Sequence, residues 1–274
     1  MNLRNLSAIL LASFGTVLAF SPAAKAANFT STIQGTDPKG NIFLQSITQN
    51  NTTFSNFNFV TSATILENDA WTGGNSGAAS TDRGDNASSP FATQENLVAS
   101  NASDGAKVAA FLGNNNLNNI IDTEDTGKFK MNVNFASAIT ADSTGLDNLF
   151  FFERGKNSQL KIQALNATGS LIGNAMTLNS ANFGDAGYSI DTLEIGGSQT
   201  VGSFGVSLAS LGVNSLYGLQ LISESNFNGP DFKVIARQSV VAPQEIPEPG
   251  NIAALALLTV GALGLLKKKS LVQV

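Results

Sequence analysis

Apolar and polar side chains alternate along several stretches of the chain. The clearest is Phe129, Met131, Val133 and Phe135, interleaved with Lys130, Asn132 and Asn134. A period of two puts the apolar set on one face, which predicts a half-buried strand. Phe54, Phe57, Phe59 and Val60 give a similar pattern, as does Ile42–Leu44 with its flank Ile47. Leu149–Phe152 is apolar throughout and predicts a central strand buried on both faces. Leu160–Leu165 and Ser170–Ile172 flank Asn166–Gly169, which predicts a hairpin closed by a glycine turn. Further strands are predicted near Ser189–Ile195, Gln199–Leu208, Leu216–Ser223 and Phe232–Arg237. Gly, Asn and Ser separate them at short intervals, so the expected fold is mainly β: an antiparallel, jelly-roll-like sandwich with one or two short helices.

One helical period interrupts the strands. Val108, Ala109, Phe111 and Leu112 make an apolar face, Ser103 or Asp104 can cap it, and Gly113 can end it. Asn114–Asn119 then reads as a polar loop. Glu67–Pro90 is polar and glycine-rich, and residues 71–90 read as an exposed insertion carrying Trp71, the single tryptophan.

The two termini carry a different pattern. Leu6 to Phe20 is an apolar run behind a single charge at Arg4, followed by Pro22 and the small-residue site Ala24-Lys25-Ala26. Residues 1–26 are therefore expected to be a secretory signal helix cut before Ala27. At the other end Pro247-Glu248-Pro249 precedes the uncharged run Ile252–Leu266 and the cluster Lys267, Lys268 and Lys269. A helix over that run would be about 22 Å long, against a hydrocarbon core of about 30 Å. The lysines can snorkel and act as a positive stop that stays cytoplasmic. The expected organisation is a signal peptide (1–26), an extracytoplasmic domain (27–238) and a Pro-rich linker (239–250). A single transmembrane helix (251–266) and a basic cytoplasmic tail (267–274) follow.

Pro247, Glu248 and Pro249, the short apolar helix and the basic cluster together resemble the PEP-CTERM sorting signal of bacterial exosortase substrates. The resemblance implies recognition by a membrane-bound, transpeptidase-like exosortase, cleavage near the tripeptide and loss of the tail, a logic parallel to a GPI signal. The membrane helix is then a transient anchor, and the mature protein goes to the cell surface or extracellular matrix. Pro243, Pro247 and Pro249 keep the linker extended, as a processing cleft requires. A second, softer resemblance covers Asp147–Ala236. The segments Asp147–Ser158, Gly205–Val213, Leu216–Leu221 and Asn228–Ile235 are similar to the all-β bodies of cyanobacterial exosortase-dependent surface proteins. Phe232-Lys233-Val234 stands where jelly-roll substrates place their last strand. No active site comes with this resemblance.

Composition narrows the chemistry. The chain has no Cys and no His, which excludes disulfides, Cys or Ser–His nucleophile systems and His-ligated zinc. Its net charge is −5, and Arg4, Lys25 and Lys267–Lys269 lie in the terminal segments, so the central part is more acidic still. Nucleic acid is therefore not an expected partner. No cofactor is expected, Ca²⁺ being the one candidate. Asp122, Glu124 and Asp125 with Gly127 resemble the first half of a Ca²⁺ loop, but Val133 stands where the closing Glu belongs. A looser oxygen-ligand site and a solvated acidic turn are the two readings. Asp82, Asp85 and Asn86 form a weaker cluster, Trp71 and Tyr188 could stack on a sugar, and Glu153 with Arg154 suggests an ion pair at a strand end. Three functions remain. The first is a non-catalytic surface or matrix protein, the second an exopolysaccharide-binding module, Ca²⁺-assisted or not. The third, ranked last, is a hydrolase using paired carboxylates.

Overall fold

The computed structural model describes residues 29–70, 79–82, 95–191 and 197–238. The signal segment with Ala24, Ala26 and Ala27, Trp71, Asp85, Asn86, the linker, the sorting tripeptide and the lysine cluster lie outside the described residues. In chain order the strands begin β1 Thr30–Gln34, β2 Phe43–Gln49, β3 Thr52–Phe54, β4 Phe57–Asn58 and β5 Val60–Asn68. Then come β6 Ala79–Asp82, β7 Glu95–Asn96, helix α1 Ala102–Leu112, β8 Ile120–Thr123, β9 Phe129–Thr140 and β10 Leu149–Arg154. The remainder are β11 Leu160–Leu165, β12 Leu171–Leu178, β13 Gly184–Ile190, β14 Gln199–Val206, β15 Ser215–Ser223 and β16 Phe232–Arg237. The protein is mainly β, built of antiparallel sheets with one short α-helix.

Three sheets form. The first is β1-β2-β3, and the second runs β13-β14-β10-β16-β8-β6-β7, with β4 also pairing β16. The third is β12-β11-β15-β9-β5. Period two decides where each side chain goes. In β9, Phe129, Met131, Val133 and Phe135 are buried while the residues between them are half-exposed, as the alternation predicts. In β10 all six residues are buried. Leu149 and Phe151 join the larger apolar cluster, shared with Met131, Val133, Leu219 and Leu221 of the third sheet. Phe150 and Phe152 join a second cluster with Leu44 and Ile47 of β2. The second sheet is therefore covered on both faces, and that is why this strand lacks any polar alternation.

The first sheet departs from expectation. The expected fold was one sandwich; β4, β5, β8 and β9 join the larger sheets, but β1–β3 form a separate sheet. Phe29 makes edge-on ring contacts at 4.9 Å to Phe150 and 6.0 Å to Phe152. The polar stretch after Glu67 also contains structure: β5 extends to Asn68, and β6 pairs β8 and β7.

The asparagine loop is the larger surprise. Asn116, Asn118 and Asn119 are buried rather than solvated. Asn116 Oδ1 accepts from Ile42 N at 3.1 Å, and Asn118 Nδ2 donates to Gly40 O at 2.6 Å and Pro38 O at 3.1 Å. Leu117 N donates to Ile42 O, and Leu44 N donates to Asn115 O. The short amides thus hydrogen-bond the edge of the first sheet without a regular strand. The cap of α1 lies two residues before the first expected one: Asn101 Oδ1 accepts from Ser103 N at 3.0 Å, while Asp104 accepts from Val98 N. Gly113 follows the helix as its C-cap, at a position where a Cβ would stand 2.4 Å from Ala109 O and 2.7 Å from Val60 O.

Gly205, on β14 opposite Phe150, tests the packing. An added Cβ would lie 2.1 Å from Asp147 Oδ2, whose carboxylate is fixed by Gln49 Nε2 at 2.7 Å. Gly205→Ala should cost roughly 1–3 kcal/mol by overpacking, read as a lowered Tm. An unchanged Tm would mean that Asp147 can move aside freely.

Candidate functional site

Asp122, the first acid of the turn weighed as a Ca²⁺ loop, meets a guanidinium. Arg154, at the end of β10, is 2 % exposed. Its Nη2 donates to Asp231 Oδ2 at 2.7 Å and Asp122 Oδ1 at 3.2 Å, and its Nε donates to Asp231 Oδ2 at 3.0 Å. Asp231 Oδ1 accepts from Thr123 N at 3.1 Å. Of the three candidate Ca²⁺ ligands, Asp122 is buried against Arg154, Glu124 is buried and Asp125 is exposed. Among the described residues no group of three or more His, Cys, Asp or Glu side chains could hold a metal ion.

The expected Glu153–Arg154 ion pair does not form either. Successive strand residues point to opposite faces, so Arg154 hydrogen-bonds the aspartates while Glu153, on the other face, only feels the charge of one of them, Asp231. Glu153 is 1 % exposed, and neither carboxylate oxygen makes a hydrogen bond of ordinary geometry. Burial first, then the charge of Asp231, push its pKa up to about 8, against a weaker pull from Ser158, the Lys156 N–H and Arg154. Glu153 is therefore a neutral acid at pH 7.

A second buried cluster lies near the far end of the same strands. Arg237 Nη1 donates to Asp142 Oδ2 at 2.6 Å and its Nε to Asp147 O at 3.1 Å, with its guanidinium 5.7 Å from the Phe54 ring centre. Burial raises Asp142, but the hydrogen bonds from Arg237 and Thr144 outweigh it and hold the carboxyl well below its ordinary range. Asp147 is raised by burial, partly offset by Gln49 and Arg237. Lys233 is fully buried; its Nζ donates to Phe111 O at 2.6 Å and Asn114 Oδ1 at 3.2 Å, and burial lowers its pKa. It places an amino group against the end of α1, a turn that has no basic residue of its own. These clusters tie elements together and present no charged group to a ligand.

Two surface depressions lined by described residues bear on binding. One, of about 240 Å³, lies between β5 and the start of α1 and is lined by small residues including Ala63, Ala99, Ala102 and Gly105. The other, of about 420 Å³, lies where β2, the β3–β4 turn, the asparagine loop and the residue after β16 meet. Phe57, Phe59, Asn56, Asn115 and Gln238 line it, with Leu44 as its floor. No charged side chain lines either depression. The sequence signal for the larger one was the spacing of Phe54, Phe57 and Phe59, which reads first as strand periodicity. Tyr188 is not available for stacking on a sugar: it is 7 % exposed and packs 6.3 Å from Phe152.

Two outcomes check the buried charges. Glu153 has a folded pKa near 8 against an ordinary value of 4.5, so the folded state retains a proton that the unfolded chain releases. Its contribution to stability is complete below pH 4.5 and is lost progressively as the pH rises through 8. Tm should fall across that window, and Glu153→Gln should flatten the fall; an identical slope in the variant would remove Glu153 as its source. Arg154→Met, which strands two carboxylates, should cost roughly 3–5 kcal/mol in denaturant unfolding. No family model, curated protein or solved structure matches this chain.

Proposed function

We propose that this chain is an exported, non-catalytic surface or extracellular-matrix protein that an exosortase sorts and processes through Pro247, Glu248 and Pro249. The observation that carries the reading is the order of its C-terminal segments: the tripeptide, the uncharged run Ile252–Leu266, then Lys267–Lys269. A signal segment ending at Ala24-Lys25-Ala26 delivers the other end. The described domain suits that role. It is a cysteine-free β-structure whose two large sheets, packed on one apolar cluster, we read as jelly-roll-like. Export without disulfides places its whole stability on that packing and on the buried clusters.

The non-catalytic part of the proposal rests on how the ionisable groups are used. A hydrolase of the paired-carboxylate kind needs two carboxyl groups facing a substrate. Glu153 and Asp231 are electrostatically coupled but are 1 % and 8 % exposed. Asp122, Asp142 and Asp231 are each held by a buried arginine.

Intact-mass measurement of the exported protein checks the reading. The native chain should lack both the segment before Ala27 and the tail bearing Lys267–Lys269. Replacing Pro247, Glu248 and Pro249 with alanines should leave export unchanged and the tail attached. Loss of the lysine-bearing tail from that variant would overturn the sorting role.

A further inference from the structure

We propose that the depression of about 420 Å³ beside β4 is a binding site for a neutral glycan, recognised without a metal ion. Its volume falls within the roughly 300–1,000 Å³ of small-molecule sites. Its chemistry is amphipathic and uncharged. Phe57 and Phe59 are half-buried, with ring centres 6.3 Å apart and planes at 52°, so parts of their apolar faces remain open. Around them stand amides from separate segments: Asn56 before β4, Asn115 in the asparagine loop and Gln238 after β16. A sugar ring offers the complementary surface, with C–H groups on its faces and hydroxyls at its edge that both donate and accept. Side-chain amides also do both, and each can serve two neighbouring hydroxyls.

One of the three amides is held in advance. Asn115 Nδ2 donates to Leu44 O at 3.1 Å, which fixes the amide and leaves Oδ1 free for a ligand. The side chains of Asn56 and Gln238 have no hydrogen-bond partner among the described residues, while their backbones are joined by Gln238 N donating to Asn56 O at 3.1 Å. Phe57 packs 6.0 Å from Phe54, which in turn lies under Arg237. A ligand would meet a wall held by the first sheet, β16 and the loop together, and would have to order only the Asn56 and Gln238 side chains.

Charge narrows the ligand class. A phosphate, a uronate or a divalent cation would each require charged partners in the site, and none lines this one. Nucleic acid is disfavoured for the same reason. An extended peptide is read mainly through its backbone by a strand edge, whereas the free polar groups here belong to side chains on different segments. An uncharged polyhydroxylated ligand fits best.

The inference stands apart from tail processing, since binding is read on the full chain whatever its C-terminus. The test is calorimetry with oligosaccharides from neutral glucans, mannans and galactans, beside uronate-bearing ones, with and without chelator. At least one neutral series should bind, unaffected by chelator. The double variant Asn56→Ala/Gln238→Ala should weaken binding about ten-fold or more with Tm unchanged, because both residues are exposed. Phe59→Leu gives a second readout, removing the ring while retaining an apolar side chain. The proposal fails if no neutral oligosaccharide binds, if only uronates bind, or if both variants bind as the native chain does. It fails too if binding appears only once residues 239–246 are replaced by a Gly/Ser linker, because the cleft would then be the seat of the chain's own linker.

Discussion

Strands β10 and β16 run side by side through a sheet that is covered on both faces, and this sets the terms for every polar residue they carry. Water is not available to Arg154, Lys233 or Arg237, each of which is at most 2 % exposed. Each has to find its partners within the protein. Arg154 reaches β8 and the residue before β16, Lys233 the end of α1, and Arg237 the segment after β9. Buried ion pairs add little net stability compared with apolar residues of the same size. Breaking one is costly, however, and that cost makes them specific. A one-residue slip of β16 would turn Lys233 and Arg237 into the larger apolar cluster and Val234 out of it. The charges thus fix the register that the apolar residues alone would leave less well defined.

The two ends of this strand pair differ in how completely they are satisfied. Around Arg237 the carboxylate of Asp142, the carbonyl of Asp147 and the ring of Phe54 surround the cation. Around Arg154, Asp122 Oδ1 and Asp231 Oδ2 each accept from the guanidinium, while on the opposite face neither oxygen of Glu153 has a hydrogen-bond partner of ordinary geometry. Protonation resolves that mismatch by removing the charge that has no counterpart. The interior is therefore rich in charge while the two surface depressions have none.

The strands were legible wherever period two governed them. Met131, Val133 and Phe135 lie inside, and Leu149–Phe152 is buried on both faces, for reasons visible in the residues alone. What sat on the second face was not legible. Ile42, Leu44 and Ile47 look the same whether they complete one sheet or build another, since the pattern reports which side is buried and not against what. Asn114–Asn119 misled in the opposite direction. Its composition says solvent, yet its amides replace the hydrogen bonds of a strand and become buried in doing so. The helix was legible, but its cap was not, because Asn101, Ser103 and Asp104 are all competent and tertiary contacts chose among them. The buried clusters escaped local reading entirely. Asp122 and Asp231 lie 32 and 77 residues from Arg154, and a six-residue acidic window resembles a cation loop when its cation is a distant side chain. The cleft was hidden for a similar reason, being assembled from residues near 45, 57, 115 and 238.

Arg237 sits at the exit of β16, one residue before Gln238, whose N–H is bonded to Asn56. Any tension carried by the chain beyond that point enters the domain through its central strand. It meets first the guanidinium seated on Asp142 and Asp147, then the backbone ladders to β10 and β4 on either side. Such a pull runs along the strand, so it loads those hydrogen bonds in shear, together rather than one after another. The arrangement that settles a buried charge also serves as a mechanical clamp. A domain held by its C-terminal side would resist being drawn out by the strand it can least spare.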